Sequence, residues 1–133
     1  MRRYSVVFSN IEISRTSRAW GALLCAVVSE VSATLALKKA LEAHEYYIVV
    51  LIGYALSFVF LSLVLRLGMA LGVAYGIWGA LGVALTSVLS VVLFGEPMNI
   101  TAVVGIAFIV LGVLLVELGS QSHSKSEGKD STE

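Results

Sequence analysis

The stretch AWGALLCAVVSEVSATLAL, residues 19–37, governs how the rest of the chain is read. It is fit for lipid almost throughout, yet its middle carries the carboxylic acid Glu30, flanked by Ser29 and Ser32. An ionisable side chain near the bilayer centre costs on the order of 3 kcal/mol or more, so such residues face a bundle interior or a water-filled cavity. Glu30 is therefore read as a residue that holds a proton or a cation. The plainer reading is a merely tolerated, protonated acid.

Working outward, the 133 residues are 58% hydrophobic and 14% charged, with a mean hydropathy of +0.92. That composition excludes a soluble domain and points to an integral membrane protein. Three more apolar runs, 47–65, 70–94 and 100–118, follow the first. Each approaches the roughly 20 helical residues that cross a hydrocarbon core. The expectation is an all-α membrane protein, a bundle of four transmembrane helices. The breaks at 38–46, 66–69 and 95–99 are short, so neighbouring helices run antiparallel.

Three segments result: a basic N-terminal extension, 1–18; the four-helix transmembrane domain, 19–118; and a hydrophilic tail, 119–133, expected to be disordered for want of apolar residues to bury. The first run reads as a retained helix and not a signal peptide, because Glu30 interrupts it and no clean small-residue cleavage site follows. Cys25 is the only cysteine. It supports no disulfide framework and is read as a small core residue.

The basic residues are unevenly placed. With both termini on one side of the membrane, Arg2, Arg3, Arg15, Arg18, Arg66, Lys125 and Lys129 share that side, against Lys38 and Lys39 opposite. The positive-inside rule then predicts cytoplasmic N- and C-termini.

Helix periodicity sorts the remaining candidates. Ala26, Ala33 and Thr34 lie at i−4, i+3 and i+4 from Glu30, leaving room beside the carboxyl for water or a ligand; small residues at that spacing equally suit a tight helix contact. In the third run Gly72, Tyr75, Gly79, Gly82 and Thr86 recur at three or four residues, a thin stripe with Trp78 beside it. The aromatic pair can bind a planar cation through its π faces, and the Tyr75 hydroxyl can hydrogen-bond a carboxylate. In the fourth run Gly105, Gly112 and Gly119 repeat every seven residues, a seam suited to helix association.

Four stretches occur in order, one per helix: Ala26-Val-Val-Ser-Glu30-Val-Ser-Ala-Thr-Leu-Ala-Leu-Lys38, Gly53-Tyr-Ala-Leu-Ser57-Phe, Leu71-Gly-Val-Ala-Tyr75-Gly-Ile-Trp78-Gly-Ala-Leu-Gly82 and Gly105-x6-Gly112. Together they resemble the small multidrug resistance transporters, over about residues 19–119. The resemblance implies a dimer of four-helix subunits, usually antiparallel, that exports cationic compounds in exchange for protons. It implies Glu30 as the shared proton and substrate site, Tyr54, Ser57, Tyr75 and Trp78 as pocket lining, Gly105 and Gly112 in the dimer seam, and Gly82 at a helix bend.

Within that family Ala33 and Tyr54 fit the multidrug branch better than the guanidinium exporters, which carry a tryptophan at the position of Ala33. The segments Ser57-Phe-Val-Phe-Leu-Ser62 and Leu71-Gly-Val-Ala-Tyr75 also look like one subunit of the paired spermidine exporters. Ala80 stands where the family's bend usually has its first glycine, and His44-Glu45-Tyr46-Tyr47 lacks the usual Trp-Pro.

The implied partners are a second four-helix subunit, the same or different, together with protons, cationic small molecules and the lipid bilayer, and no nucleic acid. The location implied is the cell (inner) membrane. No enzymatic activity, metal or cofactor is expected, the proton gradient serving as the energy source. Two Glu30 carboxyls brought together would titrate as a coupled pair. Alternating access follows if two oppositely oriented subunits exchange shapes. The alternatives are a half of a polyamine or small-cation exporter, favoured by the charge bias, and a non-transporting membrane subunit or lipid-carrier flippase component, which the Glu30, Tyr75 and Trp78 set argues against.

Overall fold

The computed structural model describes the backbone of residues 2–127 and the side chains of residues 10–119. All regular structure among them is helical: α1 Arg2–Ala40, α2 Tyr46–Arg66, α3 Leu71–Phe94 and α4 Ile100–Glu127. All four helices are long and apolar enough to cross a membrane, as the four apolar runs predict. The chain is an all-α, multi-pass membrane protein.

The helical ends reach past the apolar runs. α1 begins at Arg2, and α4 continues to Glu127. Residues 119–127 of the tail expected to be disordered are thus helical in their backbone, a correction of that expectation, while residues 128–133 lie outside the described residues, as do the side chains of residues 1–9.

Local chemistry explains where the helices stop. The Lys39 carbonyl accepts the N–H groups of Glu42 and Ala43 at 3.0 and 3.1 Å, closing α1 into a tight turn. Gly68 and Gly95 take the left-handed region, with φ of +96° and +65°, which only glycine enters without strain. Beyond Gly95 the turn is pinned twice: the Ser90 hydroxyl donates to the Glu96 carboxylate at 2.6 Å, and the Asn99 side-chain oxygen accepts the Thr101 N–H at 3.1 Å. Asn99 thereby caps the first turn of α4.

The chain divides into two compact units, Met1–Met69 and Ala70–Glu133, each built on one helical hairpin. In the first, α1 buries Ala19, Ala22, Leu23, Ala26, Val27 and Ala33, while α2 buries Val50, Ser57, Leu61 and Val64. Both sets follow the three- and four-residue spacing of a single helix face. Cys25 falls off that face and is exposed, which corrects the reading of it as a core residue: its neighbours Leu23 and Ala26 lie on the packed stripe and it does not.

α1 and α2 approach closely at Gly53. A Cβ there would stand 2.8 Å from the Ala33 Cβ and 3.2 Å from the Ser29 carbonyl oxygen. Without a hydrophobic effect between lipid-embedded helices, such backbone proximity is a main source of packing energy. Around Ala33 the small residues of α1 thus make a helix contact.

In the second hairpin, Gly72 and Gly76 of α3 lie under α4, within 3.7 Å of a Val116 methyl and 4.0 Å of a Val113 methyl for an added Cβ. α3 buries Ala74, Ile77, Ala80 and Gly82 and is α-helical throughout its length. No described side chain of α4 is buried, and Gly105, Gly112 and Gly119 have open space where a Cβ would stand.

Replacing Gly53 by Ala should force the first hairpin apart, at a cost of about 1–3 kcal/mol for overpacking. Gly21, with nothing within 4 Å of its Cβ position, should accept Ala without loss. Thermal unfolding in detergent distinguishes them: equal melting temperatures for Gly53→Ala and Gly21→Ala would show that the close approach contributes nothing.

Candidate functional site

The first hairpin carries Glu30, Tyr54 and Ser57. Three hydroxyl contacts organise the helix turns around the acid. Ser57 is fully buried and donates to the Ala26 carbonyl at 2.8 Å, one turn before Glu30. Thr34 donates to the Glu30 carbonyl at 3.0 Å, the backward bond that a mid-helix threonine commonly makes. The Thr34 oxygen also lies 3.0 Å from the Tyr54 phenol oxygen. Since the Thr34 proton goes to Glu30, the Tyr54 hydroxyl is the donor in this second bond.

Tyr54 is thus tied through Thr34 to the very turn of α1 that bears Glu30. Thr34 was legible only as a small neighbour on the Glu30 face; its sequence signal is the i+4 spacing, and its bridging role needs α2 alongside. Ser57, expected in a pocket lining, sits inside the α1–α2 contact.

Glu30 is half-buried, and its Oε2 is buried without a hydrogen-bond partner among the described residues. Nearby, an open groove of about 440 Å³ runs along the α1–α2 face that carries Ser29, Ser32, Ala33 and Gly53. Glu30 is not part of its lining.

The second hairpin carries Tyr75, Trp78, Gly82, Gly105 and Gly112. Tyr75 and Trp78 form an edge-to-face pair on α3, with centroids 5.8 Å apart and planes at 88°. This is a favoured aromatic geometry. Among the described residues no group of His, Cys, Asp or Glu is arranged to hold a metal ion.

Residues 18–109, which contain all of these side chains apart from Gly112, match the family model described as Small Multidrug Resistance protein. The chain belongs to the small multidrug resistance family. It is also 38% identical over 98 residues to the protein named Multidrug resistance protein mmr from Mycolicibacterium paratuberculosis (strain ATCC BAA-968 / K-10), a match covering 72% of this chain and 92% of that one. Membership of the small multidrug resistance family makes the chain a small multidrug efflux transporter. The family resemblance read from the four sequence motifs holds. Matched residues begin at 18, so nearly all of the N-terminal extension lies outside the family match.

The Thr34–Tyr54 bond is testable as a coupling. Thr34→Val and Tyr54→Phe each remove it, so their destabilisations should be non-additive, by roughly 0.5–1.5 kcal/mol. Stabilities of the two single variants and the double variant in detergent check this, and strict additivity would show that the hydroxyls do not cooperate.

Proposed function

We propose that this transporter exports lipophilic or aromatic cations across the cell membrane in exchange for protons, with Glu30 as the common site. The observation that carries this reading is the Oε2 of Glu30, buried and without a hydrogen-bond partner among the described residues. A buried carboxylate oxygen left without a donor costs on the order of 1–3 kcal/mol, more when charged. A bound proton or a bound cation relieves that cost. Because both neutralise one carboxylate, each excludes the other, and exclusion at a single site is what exchange transport requires.

The remaining roles rest on residue chemistry. Tyr54, held by Thr34, and Ser57 are assigned to shaping the substrate site. Tyr75 and Trp78, whose crossed rings present aromatic faces, are assigned to planar cations, for which cation–π contact contributes about 0.5–2 kcal/mol. Gly82 is assigned to flexing of α3.

The working unit is proposed to be a dimer, formed by two copies or with a second four-helix subunit, antiparallel as in the family resemblance. The open surface over Gly105 and Gly112 supports a helix contact there. Cytoplasmic termini are supported by the placement of Arg2, Arg3, Arg15, Arg18 and Arg66 against Lys38 and Lys39. The same bias favours a second reading, one subunit of a paired polyamine or small-cation exporter, since an antiparallel homodimer needs both orientations in similar amounts.

Cation-driven proton release tests the central claim. Glu30→Gln should abolish it, and cation affinity of the unaltered protein should fall as pH falls, because the protonated acid cannot take a cation. A normal release signal from Glu30→Gln would overturn the assignment. In liposomes holding this chain alone, proton-driven uptake should favour planar aromatic cations, and Trp78→Ala should weaken these several-fold more than aliphatic ones. Uptake only after a second subunit is added would favour the paired exporter.

A further inference from the structure

α1 is longer than the membrane it crosses. Its 39 residues extend ~58 Å at about 1.5 Å each, roughly twice the thickness of a hydrocarbon core. Trp20 is 40% exposed, and tryptophan prefers the membrane–water interface. Lys38 and Lys39 close the other end of the run. The distance from Trp20 to Lys38 is ~27 Å along the helix, close to one core thickness. The helical turns before Trp20 therefore enter the headgroup layer and the water beyond it.

Those turns have a chemically distinct face. Asn10, Ile11, Ser14, Arg15 and Arg18 line one shallow concavity of about 420 Å³, and at about 100° per residue they occupy a single arc of the helix. Glu12 does not line this concavity, though it lies about 60° around the helix from Arg15, three residues before it. Arg15 and Arg18 are exposed, and no ion pair joins either to another described residue. Two guanidinium groups, an amide and a hydroxyl are thus gathered directly before the interfacial tryptophan. Guanidinium groups bind phosphate through paired, charge-assisted hydrogen bonds.

We propose that this face, Asn10, Ser14, Arg15 and Arg18, is a docking surface for the headgroups of anionic phospholipids, anchoring the first turns of α1 at the leaflet surface. Charge complementarity and position select the occupant: the guanidinium groups stand at the level of the lipid phosphates, and an anionic headgroup adds net negative charge that a zwitterionic one lacks. The proposal rests on α1 crossing the membrane and is independent of the cation-exchange reading.

Titrating the purified full chain in detergent with phosphatidylglycerol or phosphatidylcholine, with bound lipid counted by native mass spectrometry, tests it. Phosphatidylglycerol should bind preferentially and lose affinity as salt rises. The Arg15→Gln/Arg18→Gln variant should bind it more weakly by roughly fivefold per arginine, about 25-fold for the pair. Arg15→Lys/Arg18→Lys should retain most of the preference, and Lys38→Gln/Lys39→Gln should leave the arginine-dependent component unchanged. Equal binding of the two lipids, an unchanged Arg15→Gln/Arg18→Gln variant, or displacement of phosphatidylglycerol by millimolar inorganic phosphate would overturn the proposal.

Discussion

The contact between α1 and α2 at Gly53 is the constraint on which the Glu30 environment depends. With a hydrogen atom where other residues carry a Cβ, the two backbones approach closely enough for Ala33 and the Ser29 carbonyl to meet α2 directly. That proximity brings the Ser57 hydroxyl to the Ala26 carbonyl and the Tyr54 phenol to Thr34. These bonds join one helix to the other one turn before and one turn after the acid. A bulkier residue at position 53 would separate all of them together.

The polar groups that surround Glu30 in the α1–α2 contact contrast with the acid itself. The hydroxyls of Ser57, Thr34 and Tyr54 are satisfied by backbone or by one another, which suits groups that hold helices in place in a medium without water. The Oε2 of Glu30 is the contrasting case, buried and without such a partner. Satisfied hydroxyls thus stand beside an unsatisfied acid, and the proposed exchange role of Glu30 rests on that contrast. The second hairpin is arranged differently: its glycines at 72 and 76 accept the valines of α4, whereas those at 105 and 112 look onto open surface.

Much of the architecture was legible from composition and periodicity. Four apolar runs of membrane-spanning length, separated by short polar breaks, become four helices because no other backbone arrangement satisfies its hydrogen bonds across lipid as simply. Gly68 and Gly95 mark two of the breaks for a reason contained in the residue itself, its tolerance of positive φ. The exposed Cys25 is a different matter. In a run apolar on every side, residue type does not distinguish the face that packs on protein from the face that meets lipid.

What the sequence by itself determined is therefore the class of molecule, the number of spans, the family and the isolation of one acid within an apolar helix. These follow from hydropathy, helix geometry and residue order, which are local or additive properties. What only the tertiary structure decided is which small residues are contacts and which are open: Ala33 and Gly53 pressed together, Gly105 and Gly112 unfilled. It also decided the partners of each hydroxyl, Thr34 linking the Glu30 turn to Tyr54 and Ser57 turned to Ala26. Those depend on the relative rotation and depth of two helices. In lipid that register is set by close packing between particular backbone surfaces, which no single helix encodes alone.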